Sequence, residues 1–214
     1  MARRTPKRTP RGQSRPRRIV AAQTPLSRAL TRVHADLTAL EVPYALVGGL
    51  AVSARANPRL TRDVDVAVTA KTDETAEQYV SSLVGRRYRV VTTVEQTKTG
   101  RLATVRLKSP HETLVVDVLF ASSGIEPEIV EAAEILEVLP GLAMPVARSG
   151  HLIAMKLLAR DDRERPQDLD DIRALLEVAT PADRRLVTTA IGQITRRGYA
   201  RGRDLRALWK EVST

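Results

Sequence analysis

The chain has no cysteine. That removes disulfide partners, thiolate metal ligands and cysteine nucleophiles from consideration. Aromatic residues are scarce, at 3% of 214 positions, so recognition of nucleic acid by stacking on aromatic platforms does not dominate. There are only three histidines, and His34, His111 and His151 show neither metal-ligand spacing nor a paired acid; we expect each to be structural or exposed. Ser53 and Thr61 lack a neighbouring base, which argues against nucleophilic catalysis by either. No apolar run approaches the roughly 18 residues of a membrane span, and no apolar leader opens the chain. We expect a soluble, cytoplasmic protein with no membrane partner.

What is abundant is positive charge. Net charge is +10, and eight of the 35 basic side chains fall in residues 1–20, where there is no acid. The remaining 27 basic residues nearly balance 25 acidic ones. Residues 1–22 are rich in Pro and Thr and hold almost nothing apolar to bury, so we expect a disordered basic tail. Such a tail is compatible with nonspecific, salt-sensitive phosphate contacts or with a merely solvated extension.

Beyond the tail, hydrophobic spacing predicts helices over 25–41, 50–56, 74–84 and 129–136, and strands over 44–47, 63–68, 88–94, 102–107 and 113–120, with an edge strand over 142–146. The rest reads as helices over 150–160, 168–178, 181–197 and 203–212. Thr180, Pro181 and Asp183 give the third of these a clear start. The expected fold class is α+β, a mixed sheet with flanking helices followed by a C-terminal helical bundle. The expected domains are 23–147 and 148–214.

One strand is chemically odd. In "LTRDVDVAV" Asp63 and Asp65 alternate with valines, so both project from one face, about 7 Å apart. Paired carboxylates repel, and burying them unpaired is costly. A divalent cation solves the problem: hard oxygen ligands suit Mg²⁺ or Mn²⁺, completed by substrate phosphates. A later strand, "TLVVDVLF", carries Asp117 alone among apolar residues, and three such aspartates could serve an in-line phosphoryl displacement. Upstream, Gly48 and Gly49 separate a strand from a helix, where backbone N–H groups can meet a phosphate. Arg59 and Arg62 flank the acidic pair and could neutralise a triphosphate. Each feature alone also has a plainer reading: a turn, a salt-bridged pair, or a solvent-facing acid.

Together, Gly48-Gly49, then Arg59-x-Thr61-x-Asp63-x-Asp65, then a strand Asp resemble the polymerase-β-like nucleotidyltransferase superfamily. The version with Arg-x-Thr-x-Asp-x-Asp is similar to the AbiEii-type toxins of bacterial toxin–antitoxin pairs, the mycobacterial MenT group among them. "SGHLIAMKLLARDDRERPQDLDDIRALL" adds to the resemblance, with Lys156 matching that family's helix lysine, and Asp168 and Asp171 its two later acids. Gln167 stands where the family carries a basic residue. The resemblance covers about residues 44–178. It implies Asp63, Asp65 and Asp117 as metal ligands, and an NTP held by Gly48, Gly49, Arg59, Thr61, Arg62, Lys156, Asp168 and Asp171. It further implies nucleotidyl transfer to the 3′ end of tRNA and a possible cognate antitoxin.

The residues themselves leave more open. Lys156 is compatible with a snorkelling surface lysine or with a cation aimed into a cleft. Asp168 and Asp171 suit orientation of Lys156 or Arg160, or simply a favourable charge near a helix N-terminus. The stripe Leu205, Leu208 and Trp209 reads as core or partner-docking surface. Two other activities fit the same features: transfer to a small molecule such as an antibiotic, or to a protein side chain, and non-catalytic RNA binding.

Overall fold

The structure is a computed structural model that describes residues 24–58, 60–61, 63–110 and 114–213. The expected basic tail, Arg59, Arg62 and His111 lie outside the described residues. Helix α1 (Pro25–Ala39) starts where Thr24 accepts a hydrogen bond from the Ser27 amide and Pro25 enters the first turn. Then come β1 (Tyr44–Val47), α2 (Gly48–Arg55), β2 (Asp63–Val68), α3 (Asp73–Gly85), β3 (Arg89–Glu95), β4 (Leu102–Lys108) and β5 (Val115–Leu119). Helix α4 (Glu126–Glu131) leads to β6 (Glu134–Leu139) and β7 (Leu142–Val146), and four helices follow: α5 (Ser149–Ala159), α6 (Gln167–Val178), α7 (Pro181–Arg196) and α8 (Leu205–Ser213).

The seven strands form one mixed sheet in the order β3-β4-β5-β2-β1-β7-β6. Its centre is made by alternation. Val64 and Val66 on β2 pair with Val116 and Val118 on β5, which pair in turn with Leu107 and Val105 on β4, and all six are fully or almost fully buried. The intervening positions of the same strands turn to the other face, and there the aspartates lie. Register sets them in one row. Val47 on β1 opposes Asp65, Asp65 opposes Asp117, and Asp117 opposes Arg106 on β4.

Three expectations are corrected. Residues 129–136 do not form one helix. The helix ends at Glu131, and residues 134–139 pair with β7 as an antiparallel hairpin that turns at Gly141, where φ is +79°. Residues 142–146 are therefore no edge: β7 lies between β1 and β6, and β6 is the edge. Helix α2 also starts earlier than expected, on Gly48 itself.

Helix α5 packs against α2, α6, α7 and α8, which brings the C-terminal helices back beside the glycine turn. Thr180 and Asp183 cap α7 reciprocally, as their spacing predicts. At the far end of α2, Arg55 donates from Nε to the Ala147 carbonyl (2.9 Å) and from Nη2 to the Val146 carbonyl (3.0 Å), and it pairs with Glu134 on β6. Among the described residues no helix is long and apolar enough to cross a membrane.

Candidate active site

The chain leaves β1 and turns at once into α2. Gly48 makes that turn with φ +64°, a conformation that penalises any side chain. The turn lies directly against the acidic row: a Cβ on Gly48 would stand 1.9 Å from Oδ2 of Asp65. A glycine here is required by the carboxylate beside it as well as by the turn.

The three acids differ in surroundings. Asp63 is exposed at the start of β2. Asp65 is pushed up to about 6 by burial, with the neighbouring Asp117 and Asp63 adding to the rise and Lys156 and Arg165 opposing it. Asp117 is buried, and both its oxygens are taken by Arg106, from Nε at 2.8 Å and Nη2 at 2.7 Å. This is a two-pronged, charge-assisted pair.

Facing this row across a cleft of about 700 Å³ is Lys156 on α5. The cleft is lined by Gly48, Gly49, Thr61, Asp63, Asp65, Arg106 and Asp117 on one side and by Lys156, Arg165 and Gln167 on the other, with Ser122 and Arg201 at one end. Lys156 is buried, not snorkelling: Nζ donates to Asp168 Oδ1 at 2.7 Å and lies 2.7 Å from Asp171 Oδ2. Arg165 closes the cluster 3.0 Å from Asp168. An ammonium has three donors, of which Asp168 takes one, and Lys156 itself lines the cleft.

The structure brings together Gly48, Gly49, Thr61, Asp63, Asp65, Asp117 and Lys156 around one cleft. It keeps Asp168 and Asp171 out of it. They are 0% and 3% exposed and pair with Lys156, which itself lines the cleft. Arg160 is not their partner; it pairs with Asp162 and Glu211. His34 contacts the Tyr44 hydroxyl and His151 is buried, both away from the acids. Arg106, Arg165 and Arg201 were not singled out by sequence. For Arg106 the signal is its place in the alternation of "LATVRLK", legible only once the β4–β5 register is known.

Whether a metal fits is decided by the donors. Among the described residues no three His, Asp or Glu side chains converge into a ready cage. Of the three expected carboxylates, Asp117 is paired with Arg106. Asp63 and Asp65 are two further hard-oxygen donors on the same face, with Asp65 half-buried among like charges and in no ion pair among the described residues. That donor set fits a divalent ion carried largely by substrate phosphates.

Comparison with solved structures gives the fold. The chain is similar to the antibiotic-resistance factor ANT(2″)-Ia, crystallised with adenylyl-2″-tobramycin: TM-score 0.54, 15% identity, 81% of this chain and 99% of that one covered. The solution structure of the same factor gives a TM-score of 0.52 at 15% identity, with 79% and 91% covered. An antigenic nucleotidyltransferase-like protein from Paracoccidioides brasiliensis aligns with a TM-score of 0.47 at 20% identity, with 86% and 93% covered. The fold is that of a nucleotidyltransferase. No curated protein matches the sequence. The family described as "Nucleotidyl transferase AbiEii toxin, Type IV TA system" matches residues 28–209, and the chain belongs to it. It is an enzyme that transfers nucleotidyl groups.

Proposed function

We propose that this enzyme transfers a nucleoside monophosphate from an NTP to the 3′-hydroxyl of RNA, with tRNA as the acceptor and blocked translation as the outcome, under the control of a cognate antitoxin. The observation that carries the transfer chemistry is the row Val47–Asp65–Asp117–Arg106, ending at the Gly48 turn and facing Lys156 across one cleft. The toxin family and the strongly basic chain support an RNA acceptor.

In this reading the amides of the Gly48–Gly49 turn meet the triphosphate, where the helix N-terminus favours an anion. Arg59 and Arg62 are proposed as further phosphate ligands, with Thr61 at the rim. Lys156, held by Asp168 and Asp171, offers an N–H to the pyrophosphate leaving group. Asp63 and Asp65 would hold Mg²⁺ or Mn²⁺, with Asp117 as the third carboxylate of the set. A bound divalent ion would offset charge on the phosphates and lower the pKa of the attacking hydroxyl. The acceptor oxygen bonds to the α-phosphorus, the α–β bridging bond breaks, pyrophosphate leaves, and the hydroxyl proton passes to Asp117.

A second reading has a small-molecule acceptor. Its support is the shared fold with ANT(2″)-Ia, seen with an adenylylated aminoglycoside. Incubation of the full chain with each labelled NTP, Mg²⁺, total RNA and tobramycin separates the two. Labelled RNA is the expected result, abolished by Asp65→Ala. Labelled tobramycin with unlabelled RNA overturns the RNA reading.

A further inference from the structure

The cleft does not end at Ser122 and Arg201. Both residues also line a second hollow of about 760 Å³, between the β3–β4 hairpin and the loop joining α7 to α8. Its other polar groups are Lys98, Gln96, Thr97, Thr104 and Thr195, with Glu95 its one carboxylate and no aromatic side chain among the described residues. The two spaces meet at Arg201.

Arg201 is held in an unusual way. Its φ is +54°, strained for a residue with a side chain. Nη2 donates to the Ser122 carbonyl (2.9 Å) and hydroxyl (3.3 Å), and among the described residues the guanidinium makes no ion pair with a carboxylate. Burial and the nearby Arg203 and Arg165 disfavour its charge, and the buried Glu126 favours it. The loop it grips is braced from below. Glu126, fully buried, accepts from the Ser123 amide (2.6 Å) and hydroxyl (2.8 Å), and Arg197 donates to the Gly124 carbonyl. On the opposite wall, Lys98 reaches across to the α7 end, so close that a Cβ on Gly198 would lie 2.7 Å from Nζ. A guanidinium with no carboxylate in an ion pair among the described residues, gripping a braced loop, with an ammonium on the other wall, makes a place for an anion.

We propose that this hollow receives the backbone phosphates of the acceptor strand immediately upstream of the 3′ end, with Arg201 and Lys98 as phosphate contacts. This rests on the RNA-acceptor reading. A polymer whose last hydroxyl enters the cleft must leave it somewhere, and the hollow opens from the cleft at Arg201. Cations and hydroxyls without an aromatic surface suit ribose and phosphate and do not read bases. A free triphosphate offers the same chemistry as a phosphodiester, and the test distinguishes them.

Binding of a fluorescent RNA hairpin with an unpaired 3′ end is measured across a salt series for the full chain, Lys98→Glu, Arg201→Ala and the double variant. The double variant is expected to bind RNA about tenfold or more weakly, with the log–log salt slope flattened by about 0.7 per lost contact. Lys98→Glu changes an exposed hairpin residue and keeps the test valid if Arg201→Ala folds poorly. Its affinity for NTP is expected to match the wild type. Unchanged RNA affinity and slope in Lys98→Glu and the double variant overturns the proposal. So does a loss of NTP affinity in Lys98→Glu equal to the loss for RNA, which makes the hollow a triphosphate subsite. Failure of the wild type to label RNA overturns the acceptor reading alone, since binding and slope are read without transfer.

Discussion

Asp65 and Asp117 are direct register partners across the parallel strands β2 and β5, yet only Asp117 has an arginine to itself. Asp65 carries an ionised carboxylate at neutral pH at a cost to the fold, in a place where burial and both acidic neighbours oppose it. Asp65→Asn removes the charge and keeps the shape. It is expected to abolish transfer while raising the melting temperature of the metal-free protein by several degrees, as sites built for function often do when neutralised. A melting temperature below that of the wild type would show that the fold depends on this charge.

Lys156→Ala is expected to eliminate transfer, and also to destabilise. It removes the ammonium that pairs with Asp168 and Asp171, both buried, and breaking a buried pair costs about 3–5 kcal/mol, or a fall in Tm of roughly 10 °C. The triple change Lys156→Leu, Asp168→Asn, Asp171→Asn separates the two effects. Calorimetry should show most of the lost stability restored, while transfer stays absent. Recovery of transfer in the triple variant would reduce Lys156 to a structural part.

Gly48→Ala places a methyl where Asp65 Oδ2 now stands and holds it at φ +64°. The backbone strain alone costs about 1–2 kcal/mol. Displacing the carboxylate by even 1 Å is expected to lower the rate about 100-fold. Steady-state kinetics beside a denaturation curve checks both figures; a normal rate would mean that the turn and the acid act separately.

His151 supplies a pH dependence. Burial holds its imidazole down to about 4, and Nδ1 has no hydrogen-bond partner among the described residues. The unfolded chain takes up a proton near 6.5 and the folded chain does not, so this stability is present above 6.5 and is lost as pH falls toward 4. Between pH 7 and pH 5 the loss is about 2 kcal/mol. Urea midpoints at the two pH values should show it in the wild type and a smaller fall in His151→Leu; equal falls would overturn the assignment.

The parts legible in the sequence are those fixed by local alternation or spacing. "DVDVAV" is a strand with its acids on one face because a period of two allows nothing else, and β2 spans Asp63–Val68 as expected. Lys156 with Asp168 and Asp171 was legible as a motif, but its burial was not, because that depends on α6 packing against α5. Residues 134–139 alternate too weakly to declare a strand, and the hairpin to β7 decides them. Arg106 and Arg201 act across register and across a loop contact, relations that no stretch of sequence contains.

Arg55 ties the far end of α2 to the last strand and its hairpin partner, through two carbonyls and Glu134. The glycine turn is thus the free tip of a strut anchored at its base. In the proposed reading, a phosphate arriving there meets the amides of a helix whose other end is tied down. Discrimination between nucleotides would then fall to the opposite wall, since a triphosphate is common to every NTP.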